Sequence, residues 1–224
     1  PVAVTPAQVQ DLNEEEGIAK TICSIPEEIR KISELIVVDA SNDFTPIIAE
    51  RLGARVLKEK RKGKGWQMRR AAARSKGDIL IFLDGDGTDP GQYIPKLLKK
   101  LENADLVLGC RSSRKFERDD ENMRRLFQLY KMLAVPASSA LALKVTDPFA
   151  GFRAIRRKDW DKLNLKSDGF EIETEMNIES IKRGFAIEQV LTPNLKRYGT
   201  SKLMRSPNMW FKIFRMILNY KQKK

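Results

Sequence analysis

Short, unbroken apolar runs recur along this chain, and between them lie segments with helical spacing. Val2-Ala3-Val4-Thr5 closes at Pro6, Leu35-Ile36-Val37-Val38 closes on Asp39, and Ile79-Leu80-Ile81-Phe82-Leu83 runs from Gly77-Asp78 into Asp84. Runs that are apolar throughout, without alternation, predict strands buried on both faces. Further strands are expected at Arg55-Val56-Leu57, 105–109, 151–155 and 186–190. Helices are expected from Glu14 to about Ser24, stopping before Pro26, with Asn13 as N-cap. Others are expected from Ser41-Asn42-Asp43 through about Leu52, from Trp66 to about Ser75, and over 92–101 and 171–182. Met123 to Leu143 reads as a long helical stretch broken near Pro136, with a loop over 112–121 before it. Strand and helix alternating at this spacing predict parallel βαβ units and an α/β sheet.

The last segment, Met209 to Lys224, reads as a basic amphipathic helix. Lys212, Arg215 and Asn219 mark its polar stripe, against Trp210, Phe211, Phe214, Ile217 and Leu218. Such a helix either lies in a membrane interface or docks on its own domain. No apolar run approaches the ~18–20 residues of a membrane span. Any membrane contact is therefore expected to be peripheral.

Composition narrows the chemistry. The 224 residues contain no histidine, which excludes His-based triads, His zinc sites and His acid–base catalysis. Two distant cysteines, Cys23 and Cys110, make no disulfide framework and fit a reducing cytoplasm. The net charge of +12 is uneven: residues 1–110 hold 17 Lys/Arg and 17 Asp/Glu, and residues 111–224 hold 25 and 13. Either the second half meets an anionic partner (nucleic acid, phosphorylated substrate or anionic lipid), or it is a solvated basic surface.

The most informative stretch is Asp84-Gly85-Asp86-Gly87, at the expected C-terminal end of a buried strand. Two carboxylates at i, i+2 there suit a hard divalent cation that holds phosphates. The position, between Lys/Gly-rich and Arg-rich segments, favours this over an acidic helix-capping turn. Lys60-Arg61-Lys62-Gly63-Lys64-Gly65 precedes a helix and reads either as an anion site built on free helix-start amides or as a surface turn.

Strand-end Asp39, Gly63-Lys64-Gly65, Asp84-Gly85-Asp86 and Gly109-Cys110-Arg111, in that order, resemble a family 2 glycosyltransferase of the GT-A fold. Asp147-Pro148-Phe149-Ala150-Gly151-Phe152-Arg153, Gly169-Phe170-Glu171 with Glu175, and Arg197-Tyr198-Gly199-Thr200-Ser201-Lys202-Leu203 extend the match over nearly the whole chain. Within that family the chain looks most similar to the dolichyl- and polyprenyl-phosphate hexose synthases. The resemblance implies a GT-A domain over 1–205, with a nucleotide-sugar half (1–110) and an acceptor half (111–205), followed by the amphipathic helix over 206–224.

It also implies roles. Pro6, Asn13, Glu14, Asp39 and Lys64 fall on the donor side, and Asp84 and Asp86 fall on the donor and on Mg2+ or Mn2+. Arg111, Arg124, Arg125, Arg153, Arg197, Ser201 and Lys202 fall where phosphates are held, with Arg111, Arg197 and Lys202 also counted in the catalytic set. Glu175 is the expected carboxylate facing the sugar, and the loop after Arg111 a mobile cover. The chain departs from the family pattern in its stretched Pro6…Asn13-Glu14 spacing, in Ala40 after Asp39, and in Thr88 where an amide is usual.

The implied reaction is inverting, in-line transfer of a hexose from GDP-mannose or UDP-glucose to dolichyl phosphate, at the cytoplasmic membrane face. A phosphate acceptor is already ionised and needs cations and alignment rather than a base, which suits a chain without histidine. The alternatives are a soluble acceptor, such as a phosphoglycerate or a glycan, and a basic nucleic-acid-binding module.

Overall fold

The computed structural model describes residues 2–6, 15–116, 121–198 and 207–222. A seven-stranded sheet organises them: β1 (Val2–Pro6), β2 (Ser33–Asp39), β3 (Arg55–Lys58), β4 (Ile79–Leu83), β5 (Leu106–Phe116), β6 (Arg153–Arg156) and β7 (Ile187–Asn194). The order is β3-β2-β1-β4-β6-β5-β7. All neighbours are parallel except β6, which runs against β4 and β5. This is the expected mostly parallel α/β sheet.

Both faces are covered, which is why the strands carry continuous apolar runs. On one face Ile81 and Leu83 pack with Ile18 and Ile22 of α1 (Glu15–Cys23), Ile29 of α2 (Glu27–Ile32) and Leu97 of the later helix α5 (Ile94–Leu101). Ala49 of α3 (Thr45–Arg51) joins that cluster. On the other face Leu80 and Phe82 meet Met68 of α4 (Lys64–Arg74), Trp160 of α7 (Arg157–Leu163) and Met176 of α8 (Ile172–Lys182). Successive side chains of β4 thus feed two separate cores.

Several expectations need correction. The chain stops α1 before Pro26 as expected, but Pro26 then serves as the N-cap of α2, which has Glu27 and Glu28 in its first turn and Arg30 and Lys31 in its last. That charge order matches the helix dipole. The loop expected after Arg111 is instead a continuation of β5, which pairs with β7 as far as Phe116 and Asn194 through an irregular register. Only 117–120 of that stretch lie outside the described residues. Pro136 does not break α6 (Glu121–Ala140). It sits on the exposed side beside Val135, as does Met132, whose carbonyl it leaves without an intrahelical donor, while Ala134 and Ala137 are buried.

The tail helix, α9 (Pro207–Gln222), docks on its own domain. Ile213, Ile217 and Tyr220 are buried with Phe127, Tyr130 and Ala134 of α6 and Ile178 of α8, and the Trp210 ring meets Phe149 edge-on at 5.4 Å. Phe211 and Leu218 remain exposed on the opposite stripe. Among the described residues no helix is long and apolar enough to cross a membrane.

Candidate active site

Parallel strands release their chain at a common edge, and here that edge gathers the acidic residues. Pro6 ends β1 beside Leu83, the residue before Asp84, while Asp39 ends β2 one strand further out. The turn after β4 is bent by Gly87, whose φ of 80° favours glycine. Helix α1 presses directly on this turn: a Cβ on Gly17 would lie 2.7 Å from the Gly85 carbonyl oxygen. From the same helix the Thr21 hydroxyl donates to the Asp84 carbonyl and accepts the Gly87 amide, both at 3.2 Å. The turn is therefore built on helix α1 rather than hanging free in solvent.

Each carboxylate in it has a distinct environment. Asp86 is buried, and its Oδ1 accepts the Thr88 amide at 3.0 Å and the Thr88 hydroxyl at 2.5 Å. Its Oδ2 pairs with the guanidinium of Arg197. Asp84 Oδ1 lies 2.7 Å from Lys64 Nζ, and the same ammonium lies 2.5 Å from Glu173 Oε1 of α8. Burial alone would lower the Lys64 pKa, but the Asp84 and Glu173 carboxylates outweigh it and hold the ammonium above the ordinary lysine range. Asp89, buried beneath, accepts the Asp84 amide at 2.7 Å. Burial, reinforced by the Asp84 charge, pushes its carboxyl well above the usual range and favours its neutral form. Asp39 is buried with the Ser41 hydroxyl at 2.7 Å, and burial raises its pKa too.

A hard divalent cation in a phosphate site takes one or two protein carboxylates and completes its shell with phosphate and water. Among the described residues no cluster of three Asp, Glu or Cys side chains forms a ready cage. Asp86 fits the sparser requirement: its Oδ1 is fixed by Thr88, and its Oδ2 already faces a cationic group. Asp84 is the adjacent carboxylate, partly neutralised by Lys64.

Other expected residues fall differently. Lys64 is no loop residue: it opens α4 and is buried. The helix-start amides are not free for an anion, because Gly65 and Trp66 donate to the carbonyls of Gly169 and Asp168. Arg61 is spent on the Asp168 carboxylate and the Trp66 ring. Arg153, expected at the acceptor phosphate, is fully buried, and its guanidinium donates to the carbonyls of Ala150, Pro148 and Glu173 and to Asn177 Oδ1. It ties β6 to α8. Glu175, expected at the sugar, instead accepts the Lys166 and Ser167 amides at 2.9 and 2.8 Å. Glu173 is the residue that reaches the site. A polar i, i+4, i+7 series, Glu173, Asn177 and Ser180, all buried, was the available signal. Arg124 and Arg125 are exposed near the start of α6. Asn13, Glu14, Ser201 and Lys202 lie outside the described residues, as does the side chain of Pro6.

Arg111 sits on β5 with its Nε 2.8 Å from Asp147 Oδ2 and its guanidinium 4.5 Å from the Tyr130 ring centre. The Tyr130 hydroxyl donates to the other Asp147 oxygen, so the carboxylate joins α6 to β5. Burial would raise the Asp147 pKa, but Arg111 and Tyr130 overcome it and hold the carboxyl below the ordinary range. With the folded pKa below the unfolded one, this contribution is complete above the ordinary Asp range and is lost as pH falls through the folded value. Asp147→Asn should therefore cost about 2 kcal/mol at neutral pH, and the cost should shrink as pH falls below the ordinary Asp range. Urea unfolding of both proteins across that range checks it. An undiminished gap at the acid end would refute the assignment.

The Glycosyl transferase family 2 profile matches residues 12–163. The chain is 30% identical over 193 residues to the dolichyl-phosphate hexose transferase of Haloferax volcanii, covering 85% of this chain and 82% of that one. It is likewise 30% identical over 217 residues to the low-salt glycan biosynthesis hexosyltransferase Agl6 of the same organism, covering 93% of this chain but only 52% of the relative's length. Among solved structures, glucosyl-3-phosphoglycerate synthase of Mycobacterium tuberculosis, crystallised with Mn2+, UDP-glucose and phosphoglyceric acid, superposes with a TM-score of 0.73 at 26% identity. That match covers 99% of this chain and 79% of the synthase.

Proposed function

This chain belongs to glycosyl transferase family 2, and on that premise we propose that it moves a hexose, mannose or glucose, from a nucleoside-diphosphate sugar to a polyprenyl phosphate of the dolichyl type. The observation that carries the acceptor class is the engagement of every carboxylate at the described strand ends. Asp84 and Glu173 share Lys64, Asp86 is held by Thr88 and Arg197, Asp89 takes the Asp84 amide, and Asp39 takes Ser41. Each of them is held by a cation or a donor, and the chain has no histidine, which favours an acceptor with no proton to remove. An acceptor that arrives ionised needs only positive charge and alignment.

The donor half is 1–110 and the acceptor half 111–205. Asp39 is placed toward the nucleoside, and Asp84 with Glu173 toward the sugar. Thr88 orients Asp86, and Lys64 holds Asp84 and Glu173 in place. Asp86 would hold a divalent cation, Mg2+ or Mn2+, which would supply Lewis acidity to offset charge on the leaving diphosphate. Arg111, held by Asp147, and Arg197 at Asp86 add positive charge around the transferring group, so displacement with inversion needs no base. The charge excess of the second half then serves anionic substrates rather than nucleic acid.

Relatives named for dolichyl-phosphate substrates support a lipid acceptor. So do exposed Phe211 and Leu218 on α9 and Leu129, Met132 and Val135 on α6, with Arg124, Arg125, Lys212 and Arg215 nearby, which suit a peripheral lipid contact. The docking of α9 and the likeness to the phosphoglycerate enzyme favour the second reading, a soluble phosphorylated acceptor.

The test is transfer of labelled hexose from GDP-mannose or UDP-glucose, in separate reactions with dolichyl phosphate and with 3-phosphoglycerate. The expected result is label in the organic phase, abolished by EDTA. Label only in the phosphoglycerate product would establish the second reading, and no transfer to either acceptor would defeat both.

A further inference from the structure

The segment following β7 is strapped onto the Asp86 turn at three points. The Tyr198 amide donates to the Asp86 carbonyl at 2.9 Å. The Tyr198 ring lies against Gly87, where an added Cβ would come within 3.0 Å of it, and Lys20 and Lys196 stand 5.1 and 5.2 Å from its centre. Between these anchors the Arg197 guanidinium occupies Asp86 Oδ2. The two partners differ in freedom: the Asp86 side chain is 5% exposed and doubly held by Thr88, whereas that of Arg197 is 33% exposed. With the neighbouring Tyr198 held on the turn by its amide and its ring, the more exposed arginine side chain is the partner able to swing away.

The geometry points to Arg197 as an exchangeable counter-ion that makes cation binding at Asp86 depend on the nucleoside diphosphate. This rests on the donor-site reading above. A divalent cation arriving alone must take an oxygen from a guanidinium and then sit beside that positive charge, a repulsion strong at contact distance. A cation arriving with a diphosphate brings acceptors for the displaced guanidinium, which forms charge-assisted hydrogen bonds to phosphate more readily than to water. Arg197 therefore opposes the bare metal and favours the metal–diphosphate pair. The two ligands are coupled through one side chain, and by linkage each must tighten the other equally.

Mn2+ binding to the full chain can be read from the electron paramagnetic resonance signal of free Mn2+, alone and with UDP or GDP, corrected for Mn2+ held by nucleotide in solution. In the wild type either UDP or GDP should tighten Mn2+ by at least about tenfold. Arg197→Gln should bind Mn2+ alone on the order of tenfold more tightly than the wild type and lose most of the nucleotide's enhancement. Arg197→Lys, which keeps a cation, should stay close to the wild type. Arg197→Gln binding bare Mn2+ no better than the wild type, with the enhancement intact, would overturn the counter-ion role and leave the donor site standing. Equal behaviour of the Gln and Lys variants would assign Arg197 a merely structural part and overturn it as well. Wild-type protein holding no Mn2+ with either nucleotide would remove the donor-site reading and this inference together.

Discussion

Replacing Asp86 by asparagine should lower hexose transfer by about three orders of magnitude with little change in stability. The substitution keeps the side chain's shape, and an amide oxygen can still accept from the Thr88 amide and hydroxyl. What it removes is the negative charge that a divalent cation requires and that Arg197 now neutralises. The amide NH2 would face a guanidinium that also only donates, so Arg197 is released as well. Leaving-group stabilisation by a bound cation is worth several kcal/mol, which sets the size of the loss. Single-turnover transfer with saturating Mn2+, beside a melting curve, measures both effects. Full transfer by Asp86→Asn would take Asp86 out of the mechanism.

The largest expected loss of stability follows from removing Lys64. Its ammonium is 3% exposed as a residue, lies between Asp84 and Glu173, and stands 5.5 Å over the Phe170 ring. Lys64→Met leaves the buried Glu173 carboxylate facing the partly buried one of Asp84, and breaking such a cluster costs about 3–5 kcal/mol. Burial already raises the Glu173 pKa, with Lys64 and Arg153 offsetting part of the rise, so losing Lys64 raises it further. A carboxyl whose folded pKa lies above its unfolded value is stabilising while protonated and loses that stability as pH climbs through the folded value. The defect should thus be small at an acid pH within the ordinary carboxylate range and full only at a pH above the raised value. Urea unfolding at both values tests this, and a pH-independent defect would contradict it. Lys64→Met with Glu173→Gln should regain much of the stability but not the transfer activity, because Asp84 still lacks its cation.

The route from residues to architecture was short because the α/β pattern is local. Residues 79–83 are apolar without interruption because two separate cores flank β4, and a strand buried on both faces has no other composition available. Asp39 and Asp84 could be placed at strand ends from sequence position alone, and the histidine-free composition excluded a large body of chemistry before any coordinates. The errors arose where partners are distant in sequence. Pro136 was expected to break α6, but the buried partners of Ala134 and Ala137 carry the helix through it, and those partners are set by the rest of the fold. Lys64 and the 60–65 loop carried the composition of an anion site, yet residues 167–169, a hundred positions away, take the amides and Arg61.

The same holds within the site. Glu171, Glu173 and Glu175 lie together in the first turns of one helix, and only the polar series that Glu173 opens with Asn177 and Ser180 sets it apart along the chain. Only the angle at which α8 meets α4 turns Glu173 onto Lys64 and leaves Glu175 to hold two loop amides. Arg153 and Arg197 were both expected at phosphates, but one is sealed under four hydrogen bonds and the other lies on Asp86 at the rim. By itself the sequence determined the sheet, its acidic C-terminal edge and the carboxylate and cation chemistry, because periodicity and residue type are properties of neighbours along the chain. The tertiary structure alone decided which carboxylates are ion-paired, which arginines remain reachable and where the last helix lies. Burial and pairing are set by groups that meet only after folding.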